Sequence, residues 1–264
     1  MRMIEQLVTI SCLLVAAGAA LAVLPASGDS LDPEGLSRLA PGEALVVGEV
    51  HGSKETPAAF VRLVDHMLTR TKPVSVGLEM PASAGAAGCG APGGSLSLGA
   101  FWTRKSQDGR SSAAMRQMVC QLKKRAEGGK VRLIYLDSVP RKSDEWVRRA
   151  SMELASRSSP MLVLIGNHHA RNALASFTDQ LRAAGNRVTS LTISSPDATT
   201  WSCTQDGCGP RPIRMSFCPQ STMGPYLLAK APAGARWDGC MVLPRLTSSP
   251  PAAPRHDISP DSRP

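Results

Sequence analysis

The stretch ALVVGEVHGSKETP, residues 44–57, begins with a short apolar run and continues into a polar turn that holds Glu49, His51 and Glu55. Short apolar runs rich in β-branched residues are typical of strands buried on both faces of a parallel sheet. Pro57 then favours the start of a helix, because proline fits the first helical turn. The stretch therefore predicts a strand, a turn with two acids and an imidazole, and a helix.

The same strand pattern recurs along the chain. The further runs are VSVGLEM (74–80), VRLIYLD (131–137), MLVLIGN (161–167) and RVTSLTI (187–193). Amphipathic segments with helical spacing lie between them, after Pro57, after the stretch DGRSS, and at residues 142–157 and 170–184. This alternation predicts an α/β fold of three layers with a mostly parallel central sheet and right-handed crossovers.

Polar residues collect where the predicted strands end. Glu49 and His51 follow the first strand, Glu79 lies at the end of the second, and Asp137 ends the third. The fourth strand runs into a polar set, Asn167, His168, His169 and Arg171. In open parallel sheets, ligands bind outside the carboxyl ends of the strands. We therefore expect these side chains to line one crevice.

The candidates differ in how well a purely structural role explains them. Glu49 and Glu79 lie within apolar runs, where a buried carboxylate is costly unless it is paired. Asp137 is equally well explained as a turn former, and Asn167 as a helix cap. We predict a site formed by Glu49, His51, Glu79 and His169, and the secondary candidates are Glu55, Asp137, Asn167 and Arg171.

Carboxylates beside imidazoles suit two kinds of chemistry. One is general-base activation of water, with a carboxylate orienting the imidazole. The other is binding of a divalent metal, for which His51, Glu79 and His169 are the candidate ligands. The spacing of the residues does not separate the two. The glycine-rich stretch GCGAPGG (88–94) contains proline and no following helix pattern, which argues against a dinucleotide site.

The chain of 264 residues divides into three parts. Residues 1–26 resemble a secretory signal, with an apolar core, VTISCLLVAAGAALAVL, and small residues for cleavage near Ala26. An uncleaved membrane anchor is the alternative, since the run is near the lower length for a span. Residues 27–246 form the predicted α/β domain, and residues 247–264, rich in proline and serine, are predicted to be a disordered tail.

Cysteine usage supports export to the periplasm or secretion. Removal of the signal takes away Cys12 and leaves an even number of cysteines, Cys89, Cys120, Cys203, Cys208, Cys218 and Cys240. An even count in an exported chain favours disulfides, and Cys203–Cys208 is the preferred pair. A zinc site at CTQDGC is the competing interpretation. The four cysteines from Cys203 onward predict that disulfides stabilise the C-terminal region.

The net charge of +9 is carried by scattered basic residues. With few aromatic residues and no nucleic-acid motif, this pattern argues against nucleic-acid binding. We expect a small-molecule or peptide ligand, and no membrane association after cleavage of the signal. The oligomeric state is not encoded in any pattern of the sequence.

Three motifs in order, VVGEVHG, VGLEMP and LIGNHHARN, resemble the superfamily that joins ChaN-like haem-binding uptake proteins, Tiki metalloproteases and erythromycin esterases. The resemblance covers residues 40–190 and is nearest to exported bacterial proteins of the ChaN-like, Tiki superfamily type. It implies an α/β fold with its site at the strand ends. By motif, it implies an active-site set of Glu49, His51, Glu79 and His169.

The branches of this superfamily imply different activities. The esterase branch implies that His51 activates water beside Glu79, and the Tiki branch implies a divalent metal at the equivalent positions. The ChaN branch implies haem bound through tyrosine, for which this chain offers Tyr135 and Tyr226. We favour a hydrolase of esters or amides, with or without a metal. The alternative is a non-catalytic haem- or metal-binding protein.

Overall fold

The computed structural model describes residues 39–86, 89, 99–103, 108–137, 143–205, 207–219, 226–228 and 231–253. The predicted signal, residues 1–26, lies outside the described residues. The search for helices long and apolar enough to cross a membrane found none in the described part of the chain.

The described chain alternates strands and helices in its first two thirds and is richer in strands thereafter. The strands are β1 (Glu43–Glu49), β2 (Val74–Leu78), β3 (Val131–Tyr135), β4 (Met161–Gly166), β5 (Arg187–Ser194), β6 (Thr199–Thr204), β7 (Gly207–Pro212), β8 (Tyr226–Leu228) and β9 (Gly239–Val242). The helices are α1 (Glu55–Leu68), α2 (Ala82–Ala86), α3 (Gly99–Thr103), α4 (Ala113–Glu127), α5 (Ser143–Ala155), α6 (Asn167–Ala170) and α7 (Phe177–Ala183).

A seven-stranded sheet in the order β3-β2-β4-β1-β5-β9-β8 forms the centre of the fold. Every neighbouring pair is parallel except β8 with β9, which is antiparallel. The strands β6 and β7 form a separate antiparallel pair. The predicted α/β fold with a mostly parallel sheet is therefore confirmed. Because β1 lies between β4 and β5, its carboxyl end opens at the middle of the sheet.

The sheet is covered by helices on both faces, which gives the three predicted layers. Side chains of β1 alternate between the faces: Leu45 and Val47 join the core with α1 and α4, whereas Ala44 and Val46 join the core with α5 and α7. All four are fully buried. A strand with two buried faces is apolar along most of its length, which is why the run preceding Glu49 has no polar alternation.

The single helix predicted over residues 170–184 is corrected to two short helices, α6 and α7. Arg171 leaves α6 with an extended backbone, at φ −67° and ψ 154°. Ser176 then begins α7, because its hydroxyl accepts a hydrogen bond from the Asp179 backbone N–H at 3.1 Å. A serine cap satisfies one of the free N–H groups of a helix start and so favours a new helix at this point.

The six cysteines pair as Cys89–Cys120, Cys203–Cys208 and Cys218–Cys240. The preferred pair, Cys203–Cys208, is confirmed and joins the end of β6 to β7. Two of the three bonds lie in the C-terminal region, as predicted. The zinc interpretation of CTQDGC is therefore wrong.

The tail predicted to be disordered from residue 247 is corrected for residues 247–253. Thr247 donates hydrogen bonds to the Glu55 carboxylate through its backbone N–H and its hydroxyl, both at 2.6 Å. Ser248 and Pro251 form isolated β-bridges with Ser53 and Ser112. Backbone hydrogen bonds to other parts of the chain order this segment despite its composition. Residues 254–264 lie outside the described residues.

Candidate functional site

Glu49 and His51 form a hydrogen-bonded pair at the carboxyl end of β1. His51 Nδ1 lies 2.8 Å from Glu49 Oε1. The Glu49 side chain is 1% exposed and the His51 side chain 19% exposed. Within the described residues, Glu49 Oε2 has no hydrogen-bond partner. The buried carboxylate therefore binds one ring nitrogen and leaves Nε2 as the nitrogen that can meet another group.

Glu79 follows β2 and faces the other ring nitrogen of His51. Glu79 Oε2 lies 3.9 Å from His51 Nε2 and accepts a hydrogen bond from the Gly166 backbone N–H at 2.5 Å. The hydrogen bond from Gly166 is possible because β2 pairs with β4, so the end of β4 lies beside the end of β2. His51 thus lies between two carboxylates, one at each ring nitrogen.

Arg110 joins the carboxylates of three segments, and we did not predict it from the sequence. Its side chain is 8% exposed, and its Nη1 lies 3.1 Å from Asp137 Oδ2 and 3.5 Å from Glu79 Oε1. Its Nη2 lies 2.7 Å from Asp108 Oδ2. Several carboxylates at neighbouring strand ends imply a nearby cation, but nothing in the DGRSS stretch itself identifies Arg110 as that cation. Arg110 fixes Glu79 and Asp137 at one point.

Electrostatics around His51 favour its protonated form. Burial disfavours the charge, but the adjacent Glu49, with Glu79 and Asp108 further away, outweighs burial and raises the pKa of His51 above its ordinary value of 6.5. Opposite charges within a few ångströms stabilise an imidazolium in this way. The imidazole therefore binds a proton readily, which is a property that a general base requires.

His169 lies in α6 near the same carboxylates. Its ring packs edge to face against Trp146, with 5.2 Å between ring centroids. Burial lowers the pKa of His169 below its ordinary value, and the attraction of Glu79 is too weak to reverse this. The lowered pKa favours the neutral imidazole of His169, which is suited to donating or accepting a hydrogen bond.

Two glycines permit the close approach of the elements that carry the site. A Cβ placed on Gly166 would lie 3.2 Å from Glu79 Oε2 and 3.3 Å from His51 Nε2. A Cβ placed on Gly109 would lie 2.5 Å from the His51 carbonyl carbon, and Gly109 also has a positive φ of 86°. Gly166 therefore borders the gap between His51 and Glu79, and Gly109 lets the Arg110 segment lie directly on the His51 turn.

The secondary candidates divide into one member of the site and three residues with other contacts. Asp137 belongs to the site through Arg110. Asn167 accepts a hydrogen bond from the Thr192 hydroxyl at 2.8 Å and so links α6 to β5. Glu55 holds Thr247, and Arg171 Nη2 lies 3.0 Å from His168 Nε2 on the exposed side of α6. Within the part of the chain that the structure describes, the contacts given above for Asn167, Glu55 and Arg171 are with residues outside the set Glu49, His51, Glu79 and His169. A role in the site therefore stays a prediction for these three.

The arrangement does not fit a metal ligand set of His51, Glu79 and His169. Within the described ranges, no three His, Cys, Asp or Glu side chains are grouped so that they could hold a metal ion. Glu49 takes up one nitrogen of His51, and the Arg110 guanidinium lies beside Glu79. A fixed positive charge at this distance repels a second cation.

Tyr135 and Tyr226 are the two tyrosines that could bind haem iron. The Tyr135 hydroxyl packs against Gly85 so closely that a Cβ there would overlap it. Burial raises the pKa of Tyr135 above its ordinary value, which disfavours the tyrosinate that would bind iron. Tyr226 lies in β8, and its side chain is outside the described residues. The described residues thus offer no tyrosine placed for haem.

Comparison with known proteins adds a fold and no activity. No protein-family model and no curated protein matches the sequence. This chain is similar to the crystal structure of a protein from Bacillus cereus, with a TM-score of 0.50 and 9% sequence identity. The aligned part covers 82% of this chain and 91% of the Bacillus cereus chain. At this identity, the similarity shows a shared fold alone.

Proposed function

We propose that this protein is a hydrolase of esters or amides in which His51 activates a water molecule. The observation that carries the proposal is the position of His51, with Nδ1 on the Glu49 carboxylate at 2.8 Å and Nε2 facing Glu79 at 3.9 Å. The resemblance of the three motifs to a superfamily that includes erythromycin esterases supports the same activity. The proposed compartment is the periplasm or the cell exterior, because the three disulfides fit an oxidising environment.

Glu49 determines which nitrogen of His51 acts as the base. A carboxylate on Nδ1 keeps the proton of the neutral imidazole at that nitrogen, so the free electron pair is at Nε2. The same carboxylate stabilises the imidazolium that forms when Nε2 takes a proton. Because Glu49 is buried, this orientation is set before any substrate binds.

The attacking water is assigned to a position that bridges His51 Nε2 and Glu79 Oε2 from beside the 3.9 Å line between them. Gly166 borders this position, because a Cβ there would lie 3.3 Å from Nε2 and 3.2 Å from Oε2. Hydrogen bonds to both would orient its free electron pair toward a carbonyl carbon in the crevice. Arg110 and the Gly166 N–H hold Glu79 in place for this contact.

The reaction then follows as two proton transfers. The water oxygen bonds to the carbonyl carbon while its proton moves to His51 Nε2, which gives a tetrahedral intermediate. The intermediate breaks its bond to the alkoxide or amine, and the imidazolium returns the proton to that leaving group. No covalent bond to the protein is formed, so a serine or cysteine nucleophile is not required. We assign His169, whose imidazole interacts electrostatically with Glu79 and His51, the role of hydrogen-bonding the carbonyl oxygen.

The test is hydrolysis of panels of esters, amides and peptides by the protein and by its Gly166→Ala variant. Gly166 has φ −54°, which alanine adopts without backbone strain, but the new methyl group would crowd His51 Nε2, Glu79 Oε2 and the water that bridges them. We expect the variant to fold and to lose most of its activity. Gly128→Ala is the matched control, since a Cβ there lies 3.6 Å from its nearest neighbour.

Three outcomes would contradict the proposal. No turnover across the panels, with or without manganese, cobalt or zinc, would favour the non-catalytic alternative, above all if haem bound tightly to the same protein. Full activity in Gly166→Ala would exclude the position beside Gly166 as the place of the water. Strict dependence on added metal would make the metal-bound water the nucleophile.

A further inference from the structure

The segment of residues 247–252, here called the strap, crosses two loops that carry site residues. One is the His51 loop, residues 51–54, and the other is the Arg110 loop, residues 109–114 including the start of α4. The strap lies almost 200 positions from His51 in sequence, so its place beside the site is set by tertiary contacts alone.

The strap is hydrogen-bonded to the His51 loop along its first half. The Lys54 N–H donates to the Thr247 carbonyl at 2.8 Å, and the Ser249 N–H donates to the Gly52 carbonyl at 2.7 Å. Between these bonds, Ser248 forms an antiparallel bridge with Ser53. The backbone that follows His51 is therefore paired with the strap as a strand would be.

The second half of the strap pairs with the Arg110 loop. The Ala113 N–H donates to the Pro250 carbonyl at 2.8 Å, and the Ala252 N–H donates to the Ser111 carbonyl at 2.9 Å. Pro251 forms an antiparallel bridge with Ser112. The backbone that follows Arg110 is thus held by the same six residues that hold the His51 loop.

Ser249 is the residue of the strap that contacts both loops directly. Its N–H reaches Gly52, and its hydroxyl oxygen accepts a hydrogen bond from the Ala114 N–H at 3.0 Å. Ser249 is 1% exposed, so water cannot readily replace either bond. At its start, the strap is fixed by the Glu55 carboxylate, which accepts two bonds from Thr247.

We infer that the strap sets the position of His51 relative to Arg110, and so to the Glu79 carboxylate that Arg110 holds. Ser249 and the pair Glu55–Thr247 are positioning residues, since they act through the two loops and touch no reacting atom. The consequence for catalysis rests on the proposed function. The positioning itself rests only on the hydrogen bonds above and on the close packing of Gly109 against the His51 backbone.

The test compares Ser249→Ala with Ser248→Ala in the full-length chain. Ser249→Ala removes the bond to Ala114, whereas the Ser248 side chain makes no hydrogen bond within the described residues. The rate of amide hydrogen exchange should rise about 5-fold or more at both loops in Ser249→Ala. This is the increase expected when local opening of a loop no longer has to break one hydrogen bond. Exchange in β1 and β4 should not change. Ser248→Ala should exchange like the parent protein.

Kinetics on a hydrolysed substrate add the second measurement. We expect kcat of Ser249→Ala to fall about 10-fold or more with little change in KM, because small misplacements of catalytic groups reduce rate steeply. Glu55→Gln, which weakens the hold on Thr247, should act in the same direction. A variant with a lower melting temperature and unchanged kcat would assign Ser249 a structural role only.

Hydrogen exchange separates failure of this inference from failure of the proposed function. If the parent protein hydrolyses nothing, the proposed function fails, and the exchange of the two loops still decides the role of the strap. If the protein is active but Ser249→Ala leaves both loops as protected as before, the inference is overturned. Loss of protection in only one loop would likewise overturn it, because the strap would then not couple the two.

Discussion

The two ends of the parallel strands both carry carboxylates, but they balance charge differently. At the amino ends, Glu43 lies 2.6 Å from Arg187 and Glu153 lies 2.8 Å from Arg132, so each acid has its own cation. At the carboxyl ends, four carboxylates share one arginine and one histidine: Glu49, Glu79, Asp108, Asp137, Arg110 and His51. The difference lies in the balance of charge and not in the presence of polar groups.

An excess of buried negative charge is costly in a site that serves stability alone. In this protein the excess is offset by an imidazole whose proton occupancy can change, and the result is the raised pKa of His51. Titratable groups with shifted pKa values in a cleft are typical of catalytic sites. The amino ends show the alternative, in which arginines keep their charge at every physiological pH. The comparison therefore supports the chemistry proposed for the carboxyl ends.

The largest effect is expected from His51→Ala. Removal of the base should lower kcat by about 10² to 10⁴-fold on any hydrolysed substrate, since this is the typical contribution of general-base catalysis. The fold should persist, because His51 lies in a turn and its side chain is partly exposed. Steady-state kinetics and circular dichroism of the purified variant check both parts.

His168→Ala is the matched control for this variant. His168 is an exposed imidazole near the same strand ends, but its ring faces Arg171. Its removal should change kcat by less than about threefold, which is the small effect expected of a surface substitution. Equal losses in the two variants would mean that the position of His51 between Glu49 and Glu79 carries no special role.

The second effect concerns stability at the carboxyl ends. Arg110→Met should lower the free energy of unfolding by about 3 to 5 kcal/mol, because it removes the shared cation and leaves buried carboxylates without compensation. Urea denaturation at neutral pH measures this change. A loss below 1 kcal/mol would show that solvent compensates Glu79 and Asp137, and the contrast between the two ends of the sheet would then be much weaker.

The sheet and its cores were predictable from the sequence because the strands are buried on both faces. Such strands are continuous apolar runs, and the runs beginning near Ala44, Val74, Val131, Met161 and Arg187 correspond to β1 to β5. Because parallel strands present their carboxyl ends at one edge, the approach of His51 to Glu79 followed from the same pattern. The local sequence pattern was thus sufficient to predict the fold and the half of the site that contains His51 and Glu79.

The remaining half of the site depends on contacts between distant parts of the chain. Arg110 precedes a helix and has no local pattern that distinguishes it from an exposed arginine. The strap has the composition of a disordered tail, and its order comes from hydrogen bonds to the two loops. Glu55 was grouped with His51 by proximity in sequence, yet its partner is Thr247. Partners that are far apart in sequence left no periodic signal.

The third prediction is a shift of the pH profile in Glu49→Gln. His51 acts as a base when neutral, so the rate should rise with pH through its pKa, which lies above 6.5. Loss of the negative charge at Glu49 lowers that pKa, and the acid limb of kcat/KM should therefore move to lower pH. The plateau rate should fall as well, because the ring loses the carboxylate that orients it. Rates measured between pH 5 and pH 9 test this.

Glu49→Gln should also change how the free energy of unfolding depends on pH. A histidine with a raised pKa stabilises the folded state most fully below the unfolded pKa of 6.5, and this contribution is lost as pH rises through the folded value. Glu49→Gln should therefore lower stability more at pH 5.5 than at pH 8.5. An acid limb that stays in place, or a stability loss that grows with pH, would mean that another group titrates.

The smallest effect is expected at the amino ends, from Arg187→Ala. The Arg187 side chain is 83% exposed, so its ion pair with Glu43 is weakened by solvent, and such pairs typically contribute about 0 to 1 kcal/mol. Glu43 keeps a hydrogen bond from the Ala40 N–H at 3.0 Å after the change. We therefore expect a change in the free energy of unfolding below about 1 kcal/mol and an unchanged pH profile. A shift of the profile in this variant would show that charge at the amino ends reaches His51, and the two ends of the sheet could not then be treated as separate.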